Sequence, residues 1–223
     1  MSAALLRMQQ LSSDWTGRGD RRAIFADAYA TMTAGMVEAI ERGEFGDCVW
    51  VDRLLHRFAD YYFDAIDLYD SGGECPLVWR HALGAAGAAD LHPLQHLFLG
   101  INAHINYDLA FALADVLDDW AGLDDVLRNG RHSDHEAVNL IIGRTVDVVQ
   151  AEVVEPLSPA MGLLDRLLGP FDEWLFSRLI AGWRDEVWHD AVELVEAESP
   201  DHRQEVSERI EKRASRMADL IEF

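Results

Sequence analysis

The chain of 223 residues is poor in cysteine and in basic residues, and each shortage excludes classes of protein. Cys48 and Cys75 are its only cysteines, too few for a disulfide framework and too far apart for a Cys-x-x-Cys zinc motif. Lysine and arginine together number 19 against 40 aspartates and glutamates, which gives a formal net charge of -21. Nucleic acids and anionic membranes repel such a polyanion. We therefore expect neither as a partner, while the oligomeric state stays open.

Signals for export are also missing. Residues 1–15 lack the long apolar segment of a signal peptide, and the lack of a disulfide framework is typical of a reducing compartment. We therefore expect a cytoplasmic location. Lys212 is the only lysine, and this preference for arginine is typical of a bacterium with a GC-rich genome.

Short catalytic motifs are absent as well. The chain has no Gly-x-Ser-x-Gly, Walker A, His-Glu-x-x-His or strand-associated Gly-x-Gly-x-x-Gly motif, so a serine hydrolase, a nucleotidase or a nicotinamide-dependent enzyme has no support. Di-iron carboxylate bundles use two Glu-x-x-His motifs, whereas this chain has one, from Glu186 to His189. A dinuclear oxygenase is therefore disfavoured.

Helical periodicity dominates the chain, and no run of alternating β-branched residues predicts a strand. These patterns predict an all-α, single-domain bundle of about seven to nine helices over residues 1–223. Asp20 is a candidate N-cap, and Ser133 with Glu136 resembles a capping box. The predicted helices cover 20–43, 47–73, 75–86, about 94–119, 133–154, 171–198 and 201–223, with 155–170 as the main irregular stretch.

The predicted helix over 94–119 contains the segment "HLFLGINAHINYDLAFAL", residues 96–113. This segment is long enough to span a membrane, yet it carries two histidines, two asparagines and an aspartate. Buried polar groups are costly unless each finds a partner. We therefore expect this helix to lie at the centre of the protein, with its polar side chains in a structural or functional site.

Asparagine is scarce, and Asn102 and Asn106 are two of the four in the chain. A solvated helix of this composition would carry aspartate, glutamate or arginine instead. One interpretation is that the two amides cross-link helices by hydrogen bonds, and the other is that they contact a substrate.

His96, His104 and Asp108 form a slowly turning line along the same helix, because each four-residue step drifts by roughly 40°. His104 and Asp108 are about 6 Å apart along the axis, so both can reach one metal ion or bond to each other. His96 is about 12 Å of helix rise from His104. We expect His96 either to pair with a group from another helix or to act alone as an acid or base.

Other helices carry histidines and carboxylates at ligand spacing, and such sets converge in the core of helical bundles. The candidate metal ligands are therefore His104, Asp108, His56, Asp60 and His189. Asp64 and Asp185 have the same spacing, and for the three aspartates outside the central helix an exposed helix face is the alternative. His132 and His135 are predicted to lie in a solvated polar loop, and the alternative for them is a surface metal site.

Two arginines follow tryptophans in helical segments, at Trp79-Arg80 and Trp183-Arg184. The default interpretation is core packing for the tryptophans and surface ion pairing for the arginines. The alternative is a pocket wall in which Arg80 and Arg184 bind an anionic group of the substrate.

The central segment resembles the signature of a large uncharacterised bacterial and fungal family, roughly H-x-L-L-G-x-N-A-H-I-N-x-D-L. The resemblance extends over nearly the whole chain and implies an all-helical domain, but it supplies no reaction. The matching positions are His96, Gly100, Asn102, Ala103, His104, Ile105, Asn106, Asp108 and Leu109.

More distantly, "LGINAHINYD" is similar to the L-G-x-x-x-H-x-x-x-D helix of zinc-dependent phospholipase C. That resemblance implies zinc-ligand roles for His104 and Asp108. The chain lacks the N-terminal tryptophan ligand of those enzymes and their trailing P-x-H motif. We therefore expect one divalent ion at most, with zinc the best candidate.

Three hypotheses for the function follow. The first is an enzyme that uses one metal ion at His104 and Asp108, with His96 as acid or base. It would catalyse hydrolysis, elimination or cyclisation of a small organic molecule, for example in secondary metabolism. The second keeps these residues as a metal-free acid–base set of a lyase or cyclase. The third is a non-catalytic small-molecule-binding or structural protein, in which the polar residues only fix helix register.

Overall fold

The computed structural model describes residues 2–87, 91–154 and 171–222. Over these ranges the chain forms eight helices and no strand, which confirms the predicted all-α bundle. The predicted irregular stretch 155–170 lies outside the described residues. The helices are α1 (Ala3–Arg18), α2 (Arg22–Glu41), α3 (Cys48–Ser71), α4 (Leu77–Gly84), α5 (Pro93–Val116), α6 (Asp125–Val149), α7 (Phe171–Glu196) and α8 (Pro200–Glu222).

Side chains of aspartate and histidine satisfy the free backbone N–H groups at several helix starts. The Asp47 carboxylate accepts a hydrogen bond from the Trp50 N–H at the start of α3. At the start of α5, the His92 ring accepts from the Leu94 N–H, and the Gln95 side chain closes the reciprocal bond of a capping box. The capping box at His92 fixes the first turn of the central helix α5.

Helix α6 starts earlier than predicted. Its N-cap is Asp124, whose carboxylate accepts from the Leu127 N–H at 2.9 Å. The predicted capping box at Ser133 is therefore wrong, because that residue lies inside the helix and its backbone N–H already has a helical partner. The predicted loop around His132 and His135 is wrong for the same reason.

The other boundaries agree with the sequence patterns to within a few residues. Gly43 and Gly72 have φ angles of 71°, the left-handed conformation that ends helices and favours glycine, and they lie at or next to the ends of the predicted helices 20–43 and 47–73. No pattern indicated α1, which packs on α2 and buries Met8 and Trp15.

Helix α5 lies between two hydrophobic cores. Its first half contributes Leu97 and Ala103 to a core shared with α1, α2, α3 and α4. Its second half contributes Leu109 and Leu113 to a core shared with α3, α6, α7 and α8. By length and composition α5 is also the one described helix that could cross a membrane, and 72% of its most apolar window is buried within the protein.

A π turn interrupts α5 at residues His104–Asp108. The Leu109 N–H bonds to the carbonyl oxygen of His104, five residues back, instead of the usual four. Such widened turns are frequent at functional sites. Here the turn begins at one member of the predicted site and ends at the other.

Gly100 allows α2 to approach α5 closely. A Cβ atom at this position would lie 2.6 Å from Cδ2 of the Phe25 ring. The ring is itself held by edge contacts with Tyr62 and Trp79, so it cannot withdraw freely.

We expect Gly100→Ala to destabilise the protein by about 1–2 kcal/mol, because the overpacking cost exceeds the gain in helix propensity. Gly130→Ala is the matched control, since Gly130 is an exposed residue of α6 with no atom within 4 Å of its added Cβ. This control should gain about 0.5–1 kcal/mol. Chemical denaturation measures both changes, and a Gly100→Ala variant as stable as the control would contradict the close approach.

Candidate functional site

His104 and Asp108 form a hydrogen-bonded pair inside the protein. The two side chains are only 2% and 1% exposed, and the distance from Nδ1 of His104 to Oδ2 of Asp108 is 3.0 Å. The indole N–H of Trp79 on α4 donates to both carboxylate oxygens, at 3.0 and 2.9 Å. The acid therefore has a donor from a neighbouring helix as well as one from its own.

This arrangement orients the imidazole. Because the Asp108 carboxylate accepts from Nδ1–H, the other ring nitrogen, Nε2, carries a free lone pair, and it has no hydrogen-bond partner among the described residues. Burial lowers the pKa of His104 well below its ordinary value of 6.5, so the ring is neutral at physiological pH. Burial also raises the pKa of Asp108, while the Trp79 N–H acts in the opposite direction.

Aromatic rings surround the His104 imidazole. The Phe58 ring stacks on it with centroids 3.5 Å apart and planes 7° from parallel. The Tyr29 ring contacts it at 4.3 Å in an edge-on arrangement. Phe25 and Tyr62 complete the surroundings, each at 5.9 Å. The sequence prediction did not include these residues, although Phe25 and Tyr29 on α2 and Phe58 and Tyr62 on α3 share the four-residue spacing of a helix face.

His104 also lies in the wall of a cavity of about 470 Å³. Five helices contribute to this wall (α2, α3, α5, α6 and α7), and nearly all of the described lining side chains are apolar. A volume of this size is typical of small-molecule sites. The described polar lining residues are Tyr29, Thr33, His104, Gln150 and Arg184.

Asn102 and Asn106 have structural partners. The Asn102 amide donates to the main-chain carbonyl of Ala214 on α8 at 2.9 Å, and the Asn106 amide donates to the Asn102 side-chain oxygen at the same distance. Neither residue is among the described lining of the cavity. This geometry favours the cross-linking interpretation over substrate contact.

His96 lies away from the cavity. Its Nε2 atom accepts from the Arg21 guanidinium at 3.4 Å, and it lines a void of only about 20 Å³ on the other side of Phe25. Burial, together with the Arg21 charge, lowers the pKa of His96. The void has room for little more than one water molecule, so the structure does not bring His96 to the site of His104.

The predicted metal ligands do not converge. His56 is half exposed and faces Asp52, Asp60 is exposed, and His189 is 72% exposed and bonds to its own helix at the Asp185 carbonyl. Equal four-residue spacing had suggested a common site, but these three residues point to solvent and not to the core. The five-residue set is therefore corrected to the His104–Asp108 pair.

The pair alone does not fit a zinc ion. Asp108 is bonded to Nδ1 of His104, so a metal ion at Nε2, on the other side of the imidazole, could not also bind this carboxylate, and aromatic rings surround the imidazole. Zinc requires three or four ligands. A different group of described residues has its ligand atoms within 4.8 Å of one another, namely His132, Glu136 and Asp185 at the partly exposed contact of α6 and α7.

The two candidate arginines have opposite environments. Arg80 is exposed. Arg184 is 4% exposed and donates from Nε to the Asn139 side chain at 2.9 Å and from Nη2 to the His135 carbonyl at 2.6 Å. His135 in turn donates from Nε2 to the Arg184 carbonyl, an interlock that the sequence did not indicate.

Fold and site together define an all-α helical bundle with a buried histidine–carboxylate pair beside an apolar cavity. The chain belongs to the family of unknown function DUF5995, whose profile matches residues 1–222. This match confirms the resemblance to an uncharacterised family, and it leaves the likeness to zinc-dependent phospholipase C a prediction. Comparison with curated proteins and with solved structures found no match.

We expect stability to fall as the pH falls, partly because of His135. Burial and the Arg184 charge lower the pKa of His135 well below 6.5, so below pH 6.5 the unfolded chain binds the additional proton. As the pH falls from about 7.5 to about 5.5, His135 alone should lower the free energy of unfolding by about 1.4 kcal/mol. In His135→Gln that share of the pH dependence should disappear, whatever the variant's stability at neutral pH.

His189→Gln is the control, because His189 is exposed. Its replacement should leave the slope of the free energy of unfolding against pH unchanged. Urea denaturation at several pH values measures all three proteins. Equal slopes in the native protein and in His135→Gln would contradict the assignment of a buried neutral imidazole.

Proposed function

We propose that this protein is a metal-free acid–base enzyme that acts on an apolar small molecule bound in the large cavity. The observation that carries the proposal is the Nε2 atom of His104, which is buried and has no hydrogen-bond partner among the described residues, on an imidazole that lines the cavity and is oriented by Asp108. A neutral imidazole whose other nitrogen donates to a carboxylate is a competent general base.

The chemistry follows from this geometry. Nε2 would accept a proton from the bound molecule, and the Asp108 carboxylate would stabilise the imidazolium that forms. The imidazolium would then return this proton to the departing group in an elimination, or to the ring product in a cyclisation, which restores the neutral base. Such stabilisation is strong in an interior of low polarity, where no water has to reorganise. Because the cavity is apolar and hydrolysis needs an ordered water molecule, proton abstraction followed by elimination or cyclisation fits better than hydrolysis. The expectations of a cytoplasmic location and of no nucleic-acid or membrane partner stay predictions from composition.

A second candidate function is binding without chemistry. It is favoured by the Phe58 ring, which covers one face of the imidazole at 3.5 Å. A purely structural His104–Asp108 bond would serve a carrier of apolar molecules equally well. Both functions need the cavity, and they differ in whether the bound molecule is changed.

The cavity is tested by filling it. Val146 of α6 lines the cavity, whereas Val126 of the same helix is 77% exposed. We expect Val146→Trp to weaken binding of the neutral fluorescent dye N-phenylnaphthylamine at least about tenfold, because the indole occupies the binding volume. Val126→Trp should bind the dye as the native protein does. Equal dye affinity in both variants, with unchanged Tm, would place the dye outside the cavity.

The chemistry is tested by what the purified proteins carry. His104→Gln removes the base but keeps a side chain that can bond to Asp108, so it should retain unreacted substrate after purification. Organic extraction followed by mass spectrometry should show a compound in this variant that is absent from the native protein and from the control His189→Gln. The same compound in all three proteins would leave a binding protein and refute the enzyme.

A further inference from the structure

Arg184 is a buried cation without a carboxylate partner. The chain has 40 acidic residues, yet no described carboxylate oxygen lies within 4.0 Å of this guanidinium. Its partners are a side-chain amide, a main-chain carbonyl and the Nδ1 atom of His135, all of them neutral. Burial lowers the pKa of Arg184 to about 10, while the charge of Glu136, whose carboxylate lies more than 4.0 Å away, acts in the opposite direction, so the guanidinium is still charged at physiological pH. A buried charge of this kind is costly without an anion in direct contact.

The position of Arg184 in the cavity wall indicates that a ligand bound in the cavity would supply this anion. Arg184 is one of the residues that line the large cavity, and its Nη1 nitrogen has no hydrogen-bond partner among the described residues. The other polar side chains of the described wall carry no positive charge at physiological pH. The cavity therefore has one cationic point in an otherwise apolar lining.

We infer that the natural ligand is an amphiphilic carboxylate, whose anionic head binds Arg184 and whose apolar chain fills the rest of the cavity. This inference rests on the proposed function, because it assumes that the cavity holds the ligand. A methylene group takes up about as much space as a water molecule, whose share of the liquid is about 30 Å³. A volume of about 470 Å³ thus has room for roughly fifteen heavy atoms, the size of a medium-chain fatty acid.

A single negative charge matches the site better than two. One free guanidinium nitrogen can donate to a single carboxylate, whereas a phosphate dianion would require further cations in the wall. The net charge of -21 also opposes the entry of a dianion.

The test compares head groups on the same chain. N-phenylnaphthylamine is displaced from the native protein by dodecanoate, dodecanol or dodecyl phosphate, each below its critical micelle concentration and at about pH 8, where the carboxyl is ionised. Dodecanoate should bind at least about tenfold more tightly than dodecanol. Dodecyl phosphate should bind no more tightly than dodecanoate.

Variants of Arg184 and Arg80 test whether Arg184 causes the preference for dodecanoate over dodecanol. Arg184→Met should bind dodecanoate and dodecanol equally, Arg184→Lys should keep part of the difference, and Arg80→Met, at the exposed arginine, should behave as the native protein. If Arg184→Met does not fold, the comparison of head groups on the native protein still tests whether the cavity prefers a carboxylate.

Equal affinity of the native protein for the acid and the alcohol would overturn the role of Arg184 and leave the cavity function intact. A preference for dodecyl phosphate would overturn the carboxylate. If neither the dye nor any amphiphile binds, the proposed function itself fails, and this inference fails with it.

Discussion

The buried carboxyl group of Asp108 is the constraint on which the site depends. An acid removed from water is costly unless protein groups replace its hydration, and two do so here, the indole N–H of Trp79 and the imidazole Nδ1–H of His104. The first bond holds α4 against α5. The second fixes the orientation of the imidazole, so the free nitrogen of His104 follows from the need to satisfy Asp108.

Among the described residues, the interior keeps carboxylates away from the large cavity. Asp108 and Arg184 are both buried, and each is held mainly by neutral hydrogen-bonding groups, not by an ion of opposite sign. Numerous ion pairs, such as that of Arg7 with Asp67, lie at the surface, where their net contribution is small. The cavity wall is thus free of carboxylates among its described residues. An apolar molecule can occupy it without displacing an ion pair.

The sequence was sufficient for the fold class and for the core of the site, since a long apolar helix with polar residues four apart has few other interpretations. It could not show whether the other candidate metal ligands lie close to His104 and Asp108. His56 and Asp60 have the same spacing as His104 and Asp108, and spacing alone cannot distinguish a helix face that meets solvent from one that meets a core. Asp124 and Ser133 are both good N-caps, so local chemistry alone could not choose the start of α6. The π turn and the approach of Phe25 to Gly100 depend on tertiary contacts that no short segment encodes.

The π turn has a consequence for how the two halves of the molecule are joined. Leu97 and Ala103 before it belong to one large hydrophobic core and Leu99 to a small third cluster, whereas Leu109 and Leu113 after it belong to the other large core. Each residue of an α-helix advances by about 100°, so losing the additional residue of the turn would rotate Leu109–Val116 by about that angle relative to the preceding segment. Leu113, now fully buried, would turn out of its core. The same five residues that carry the histidine and the acid thus also set the rotational phase between the two halves of the bundle.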